Sequence, residues 1–317
     1  MKVLVSGGAG FIGSHVADRL LGAGHEVVIL DDLSTGHVEQ LPAGARFYQM
    51  DVHSPWLDEL FTIERPEAVV HQAAQASVRR SVEDPVFDAS VNLLGTAALL
   101  QASVQHGVRR FLFASTGGAI YGDTDLVPTP EDAPALPVSP YGASKLAAEV
   151  YLRTFHALHG LSYAALRYAN VYGPRQDPHG EAGVVAIFTQ RLLRGEKARI
   201  NGDGKQTRDF VYVGDVADAN ARALTSDHVG AFNVGTGVET DINRIFALLR
   251  QLTRSDRPEE HGPPLAGEQR RSVVDPRKIE TLLGWHPQTS LEAGLSATVQ
   301  YFREAPAIRP AVPAPPA

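Results

Sequence analysis

Short aliphatic runs, each stopping at a glycine or an acid, alternate along the first half of the chain with stretches whose apolar positions recur every three or four residues. Val3, Leu4 and Val5 form the first run, which breaks at Gly7; beyond it Phe11, Ile12, Val16, Leu20 and Leu21 fall at helical spacing. A continuous apolar run reads as a strand buried on both faces, and the change of period marks a strand-to-helix turn. The unit repeats. Residues 27–30 form a second run ending at Asp31, 47–52 a third with Asp51 near its end, 68–71 a fourth and 109–115 a fifth, with helical patterns over 55–61 and 91–108. This repetition predicts an α/β fold with a doubly wound parallel sheet and ligands at the carboxyl ends of its strands.

The first turn carries the first chemistry. Gly7, Gly10 and Gly13 are spaced G-x-x-G-x-x-G between strand and helix. Such a turn aims free backbone N–H groups out of a helix N-terminus, and the missing Cβ atoms admit a pyrophosphate. Asp31, at the end of the second strand, stands where a dinucleotide fold puts the carboxylate for the adenosine ribose. The competing reading makes Asp31 and Asp32 a solvated turn. Asp51 reads equally as a contact to the adenine edge or as the N-cap of the helix over 55–61. Small residues after the fourth strand, Ala73 and Ala74 ahead of Gln75, let backbone crowd a cofactor. Two acids at 31 and 32 with no arginine beside them favour NAD over NADP.

Composition narrows the classes. A chain of 317 residues that is 44% hydrophobic buries a large core, in one big domain or two unequal lobes. A net charge of −7 without a block of basic residues argues against nucleic acid or an anionic membrane as partner. The absence of cysteine removes disulfides, thiolate nucleophiles and Cys-ligated metals. With the opening apolar run too short for a signal peptide, the cytoplasm is the expected compartment. His156 and His159 read as surface residues on an amphipathic helix rather than metal ligands.

Candidate catalytic groups follow the fifth strand, where Ser115 and Thr116 place two hydroxyls at its end. Further on, Ser139-Pro140-Tyr141 opens a helix in which Tyr141 and Lys145 are one turn apart on one face. An ammonium beside a phenol favours the phenolate, drawing a pKa of about 10 toward neutrality, and a positively charged nicotinamide nearby would draw it further. That makes Tyr141 a general base.

Taken together, the stretches Gly7–Gly13, Asp31–Gly36, Asn92-Leu-Leu-Gly-Thr96, Tyr141-x-x-x-Lys145 and Arg167–Arg175 resemble the extended short-chain dehydrogenase/reductases. Within them the chain is most similar to the bacterial nucleoside-diphosphate-sugar epimerases of the NAD-dependent epimerase/dehydratase family, of the UDP-glucose 4-epimerase type, up to about Phe302. The resemblance implies bound NAD, a UDP-sugar substrate, a transient 4-keto intermediate and a homodimer paired through the helices holding Asn92 and Tyr141. It implies that Gly7, Gly10, Phe11, Ile12 and Gly13 hold the diphosphate of NAD, and that Asp31, Asp32, Ser34, Thr35 and Gly36 surround the adenosine ribose. By the same resemblance Asp51 and Val52 flank the adenine, while Ala73, Ala74, Gln75, Asn92 and Tyr168 line the cofactor. Lys145 also holds the nicotinamide ribose. Thr116 bonds the sugar oxygen with Ser115 as a neighbour able to share the role, and Val184, Asn170, Arg208 and Glu268 belong to the substrate side.

A Rossmann domain over 1–173, with strands returning near 208–236, a substrate lobe over 174–304 and a disordered Pro/Ala tail over 305–317 complete the expected organisation. The chain departs from its relatives at two places. Leu265 stands where an arginine usually contacts the diphosphate, which shifts that task to Arg208 and to Arg270 or Arg271; the structural alternatives are a pair with Asp209 or a nearby carboxylate for Arg208 and the tying down of a turn for Asn170. Thr116 is followed by Gly117 and Gly118 rather than the acids of a 4,6-dehydratase. The leading expectation is 4-epimerisation of UDP-glucose and UDP-galactose. Its rivals are a 4-epimerase of UDP-N-acetylhexosamine or UDP-uronate, a UDP-glucuronate decarboxylase and, outside enzymes, an NAD-sensing protein.

Overall fold

A buried parallel strand needs side chains for both faces of the sheet, and Val3, Leu4 and Val5 are all fully buried. In the computed structural model, which describes residues 1–179, 183–264 and 269–304, they form β1 (Lys2–Ser6), followed by α1 (Phe11–Gly22), β2 (Glu26–Asp31), β3 (Arg46–Gln49), α2 (Leu57–Glu64) and β4 (Ala68–His71). Two short helices, α3 (Val78–Glu83) and α4 (Pro85–Ala89), lead through a π turn over Ser90–Leu94 into α5 (Gly95–Gln105). Then come β5 (Arg110–Thr116), α6 (Pro140–His159), β6 (Ser162–Tyr168) and β7 (Asn170–Tyr172). The later part holds α7 (Val184–Leu193), β8 (Arg199–Asn201), β9 (Thr207–Arg208), β10 (Phe210–Tyr212), α8 (Val213–Thr225) and β11 (Gly230–Val234). It ends with β12 (Thr240–Asp241), α9 (Ile242–Thr253), β13 (Glu260–Gly262), β14 (Arg271–Ser272), α10 (Arg277–Leu283) and α11 (Leu291–Glu304).

Seven parallel strands make the main sheet in the order β3-β2-β1-β4-β5-β6-β11. The chain runs outward from β1 in one direction to β3 and in the other to β6, so β1 and β4 flank the switch point at which a ligand crevice opens. Alternate residues feed two cores. Val3 and Val5 join Val16, Leu20 and Val216 from α1 and α8, whereas Leu4 joins Leu60, Phe61, Leu99 and Leu152 from α2, α5 and α6. A third cluster, with Phe188, Leu192, Phe246, Leu249 and Leu295, ties α7, α9 and α11 together. The expected doubly wound parallel sheet is therefore present.

Two expected elements differ. The third strand stops at Gln49, before Asp51, and α2 starts at Leu57 with Trp56 as its N-cap. Asp51 instead accepts from the backbone N–H and ring of His53 at 2.6 and 2.7 Å, closing a turn on its own, so the capping alternative does not hold. The helix expected over 91–108 is entered through the π turn, which carries Asn92 inward at 1% exposure. Inserted π turns recur at functional sites.

His71, at the end of β4, is buried beside the switch point. Thr96 Oγ1 donates to the Asn92 carbonyl at 2.6 Å, so it accepts from His71 Nε2 at 3.0 Å, leaving Nδ1 to accept from Ser6 Oγ at 2.6 Å. Burial, helped by the nearby Lys145 ammonium, pushes the imidazole down to about 3. The unfolded chain takes up this proton below the ordinary histidine value of 6.5 and the folded chain does not, so stability is lost as pH falls from 6.5 toward 3. Between pH 7 and 5 the loss from this residue is roughly 2 kcal/mol. His71→Gln is expected to flatten the fall in thermal stability over that range by this amount; parallel melting curves for the two proteins would assign the acid sensitivity elsewhere.

Candidate active site

Each glycine of the first turn answers to a different constraint. Gly7 has φ +72°, and a Cβ on it would stand 2.4 Å from the Ala73 nitrogen at the end of β4. A Cβ on Gly13 would come 2.0 Å from the Gly7 carbonyl, where α1 leans on the turn. Gly10 is the exception: a Cβ there would meet only the Gly7 oxygen at 3.3 Å. It is also the N-cap of α1, without a side-chain cap and without an acid in the first turn, so the positive helix end is left to an outside anion. Phe11 and Ile12 begin the helix, and Ile12 lies against the first core.

Asp31 belongs to this turn. Its carboxylate accepts from the Ala9 N–H at 2.9 Å and the Leu33 N–H at 2.8 Å, and burial raises its pKa against those two bonds. Gly36 packs on it, since a Cβ there would lie 2.9 Å from Asp31 Oδ1. The strand end thus curls back over the glycine turn, while exposed Asp32 binds only the N–H and hydroxyl of Ser34. The solvated-turn reading fits Asp32, and Thr35 is exposed beside it. Val52 is buried against Gly95.

Past β4 the backbone of Ala73 donates to the Ser6 carbonyl at 3.1 Å, with Ala74 next to it. Asn92 holds the loop from outside: its Oδ1 accepts from Gln75 N at 3.0 Å and its Nδ2 donates to the Gln75 carbonyl at 2.9 Å. The side chain of Gln75 does not face the crevice. It donates to Asp88 Oδ1 at 2.9 Å and to the Ser77 carbonyl. The Tyr168 hydroxyl is likewise turned away, to Gln72 and Asn220, and is raised to about 12 by burial. The side chains of Gln75 and Tyr168, both expected to line the cofactor, are thus engaged within the protein.

Ser139 caps α6 by accepting from Gly142 N at 3.2 Å, with Pro140 in the first turn, which sets Tyr141 and Lys145 on the buried side at the end of β5. Thr116 hydrogen-bonds the Tyr141 hydroxyl. Lys145 is 2% exposed; its Nζ donates to the Ala114 carbonyl at 3.0 Å and lies 6.0 Å from the Tyr141 ring centre. Burial lowers this lysine to about 8 and raises Tyr141 to about 12. Of the two cations expected to draw the phenol toward neutrality, the lysine is already engaged by a carbonyl, and burial holds Tyr141 up against it.

Ser115 instead donates to Glu149 Oε1, two turns further along α6, at 2.5 Å, and Glu149 is paired with Arg167 at 2.7 Å, so Ser115 does not share the role of Thr116. Thr116→Val is expected to lower turnover by about 10²-fold, whereas Ser115→Ala should cost stability with turnover within a few-fold. Equal kinetic losses from the two would overturn this division.

On the substrate side, Thr116 Oγ1, Asn170 Oδ1 and Ser272 Oγ all lie 3.9 Å from where a Cβ on Gly118 would stand, so three polar atoms converge on an open glycine. Ser272 was not expected; nothing in its sequence surroundings marks it. Arg208 donates to the carbonyls of Thr207 and Gln269 and does not pair with Asp209, which is buried against Thr236 and Gly237. Arg270 and Arg271 are engaged by Asp203 and Glu239. Val184 is the first residue of α7, and Leu265 and Glu268 lie outside the described residues.

With this geometry in hand, the chain matches the model of the NAD dependent epimerase/dehydratase family over residues 3–235. It belongs to that family. A UDP-glucose 4-epimerase of Mycolicibacterium smegmatis is 48% identical over 310 residues, 96% of this chain and 99% of the relative. The crystal structure of a Thermotoga maritima UDP-glucose 4-epimerase with UDP-glucose has a TM-score of 0.94 at 50% identity, covering 96% of this chain and 99% of that one. A Thermus thermophilus UDP-glucose 4-epimerase in complex with NAD has a TM-score of 0.92 at 47% identity, covering 96% and 100%. For an NAD-dependent epimerase/dehydratase, the two glycines after Thr116 are informative. A Cβ on Gly117 would stand 2.5 Å from Val274, which leaves no room there for the acid a dehydratase uses.

Proposed function

We propose that the protein is an NAD-dependent 4-epimerase of UDP-hexoses that interconverts UDP-glucose and UDP-galactose. The observation that carries the reading is the Thr116–Tyr141–Lys145 group at the carboxyl end of β5, with β4 alone between it and β1, the strand that leads into the glycine turn. The turn fits NAD: the open face of Gly10 and the uncapped end of α1 suit its diphosphate, and Asp31 suits its adenosine ribose. When bound, NAD supplies a hydride acceptor that returns the hydride and a positive ring that lowers the Tyr141 pKa. Tyr141 takes the proton of the sugar 4-hydroxyl and later returns it to the 4-keto sugar presented by its other face. Thr116 holds the phenol in line, Lys145 supplies the ammonium beside it, and burial keeps water from the ketone.

Purified protein offered UDP-glucose, UDP-N-acetylglucosamine and UDP-glucuronate in turn tests this. Appearance of UDP-galactose with co-purifying NAD is the expected result; no epimer from any of the three, or carbon dioxide from UDP-glucuronate, would sink it.

A homodimer belongs to the same proposal. Val82, Val86, Leu94, Val150 and Tyr151 expose apolar surface along α3, α4, the π turn and α6, and Val86 and Leu94 lie eight residues apart on one helical face. A second copy of the chain is the occupant. Val86→Asp should raise the dimer dissociation constant by about 10²-fold in sedimentation equilibrium; wild-type protein that sediments as a monomer would exclude the dimer. No helix among the described residues is long and apolar enough to cross a membrane, and the proposed compartment is the cytoplasm, where both NAD and nucleotide sugars are supplied.

A further inference from the structure

Asp88 is a fully buried carboxylate that the reaction as described does not use. Its Oδ1 accepts from Asn92 Nδ2 and Gln75 Nε2, each at 2.9 Å, and its Oδ2 from Ser144 Oγ at 2.8 Å. All three donors are neutral. A carboxylate taken out of water is costly unless hydrogen-bonded, and among the described residues these three neutral donors are its contacts. The three donors are not scattered: Asn92 and Gln75 belong to the clamp on the loop after β4, and Ser144 is flanked by the Tyr141–Lys145 turn of α6.

We propose that Asp88 is a positioning residue for the reaction, joining the cofactor-side loop to α6 through these bonds and setting, by its charge, the pH at which the Tyr141–Lys145 pair changes protonation. The carboxylate raises the pKa of both residues, against burial for the lysine and with it for the tyrosine. The charged groups around it are few. From α6 it faces Tyr141 and Lys145. From α3 come Arg80, over the Phe87 ring at 4.0 Å, and the exposed Arg79–Glu83 pair; the π turn contributes none, and His71, neutral, faces Lys145.

Asp88→Asn separates charge from shape. Its amide oxygen still accepts from Asn92 and Gln75, and its NH2 donates to Ser144 Oγ, whose proton then goes to the Tyr141 carbonyl at 3.0 Å. The NAD-loaded variant is read in two ways: the pH profile of turnover, and NMR titration of ζ-carbon-labelled tyrosine with Tyr141→Phe for assignment. Both curves should move to lower pH by roughly one unit. Superimposable curves, with only stability or rate reduced, would overturn the charge role. Should Asp88→Asn be insoluble, Asp88→Ser is read identically, and insolubility of both would make Asp88 a folding residue and overturn the proposal. The inference rests on Tyr141 being the base of the proposed epimerase. Wild-type protein inactive on every UDP-hexose would sink that reading alone, since the tyrosine titration needs no turnover.

Discussion

Tyr141→Phe is expected to leave the fold and bound NAD as they are and to reduce UDP-glucose turnover by roughly 10³-fold. The substitution removes one oxygen. The ring stays on α6, Lys145 keeps its bond to Ala114 at 3.0 Å, and the glycine turn on the far side of the crevice is untouched. What disappears is the acceptor of the 4-hydroxyl proton and the partner of the Thr116 hydroxyl. Turnover is measured by the formation of UDP-galactose, and cofactor content by absorbance after denaturation. A rate within tenfold of wild type would take the proton from another group, and Thr116 would then be the residue to question.

The second large effect separates two glycines three residues apart. Gly13→Ala drives a Cβ to 2.0 Å from a backbone oxygen that cannot swing away, so either α1 or the turn must shift. The expected cost is about 3 kcal/mol with loss of NAD. Gly10→Ala meets its nearest atom at 3.3 Å and keeps φ in an ordinary region, so thermal stability without cofactor should hardly change. Its NAD affinity should still fall, by about tenfold or more, because a methyl then occupies the face left to the diphosphate. Calorimetry with and without NAD distinguishes the two. A Gly10→Ala protein binding NAD as tightly as wild type would place the diphosphate elsewhere.

How far the sequence carried differs by residue. Of the five early strands, β1, β2, β4 and β5 were legible because a parallel sheet buried on both faces leaves apolar runs, whereas β3 is a half-exposed edge strand marked only by Phe47 and Tyr48; the glycine turn was legible because strand and helix periods meet there. Tyr141 and Lys145 were legible as a pair one turn apart. Their electrostatics were not: the balance between desolvation and a neighbouring ammonium depends on how deeply α6 is buried, which no spacing reports. Ser115 and Thr116 looked equivalent as adjacent hydroxyls, and only the folded contacts assign Thr116 to Tyr141 at the start of α6 and Ser115 to Glu149 two turns further along it. Asp88 and Asn92 did leave a trace, an acid and an amide at i and i+4, but the π turn that carries Asn92 inward has no residue signature here. Ser272 reaches the open face of Gly118 from more than 150 positions downstream, beyond any local pattern.

The order in which the sheet is completed has a practical corollary. Its last strand, β11, pairs with β6 from Ala164 to Tyr168, yet the polypeptide reaches it only after building α7, β8, β9, β10 and α8. A fragment cut after residue 173 would leave β6 with an unpaired border of backbone N–H and C=O groups, the kind of edge that recruits other chains into aggregates. The nucleotide-binding half is thus not separable by proteolysis or truncation, and heating should melt the whole protein in a single step.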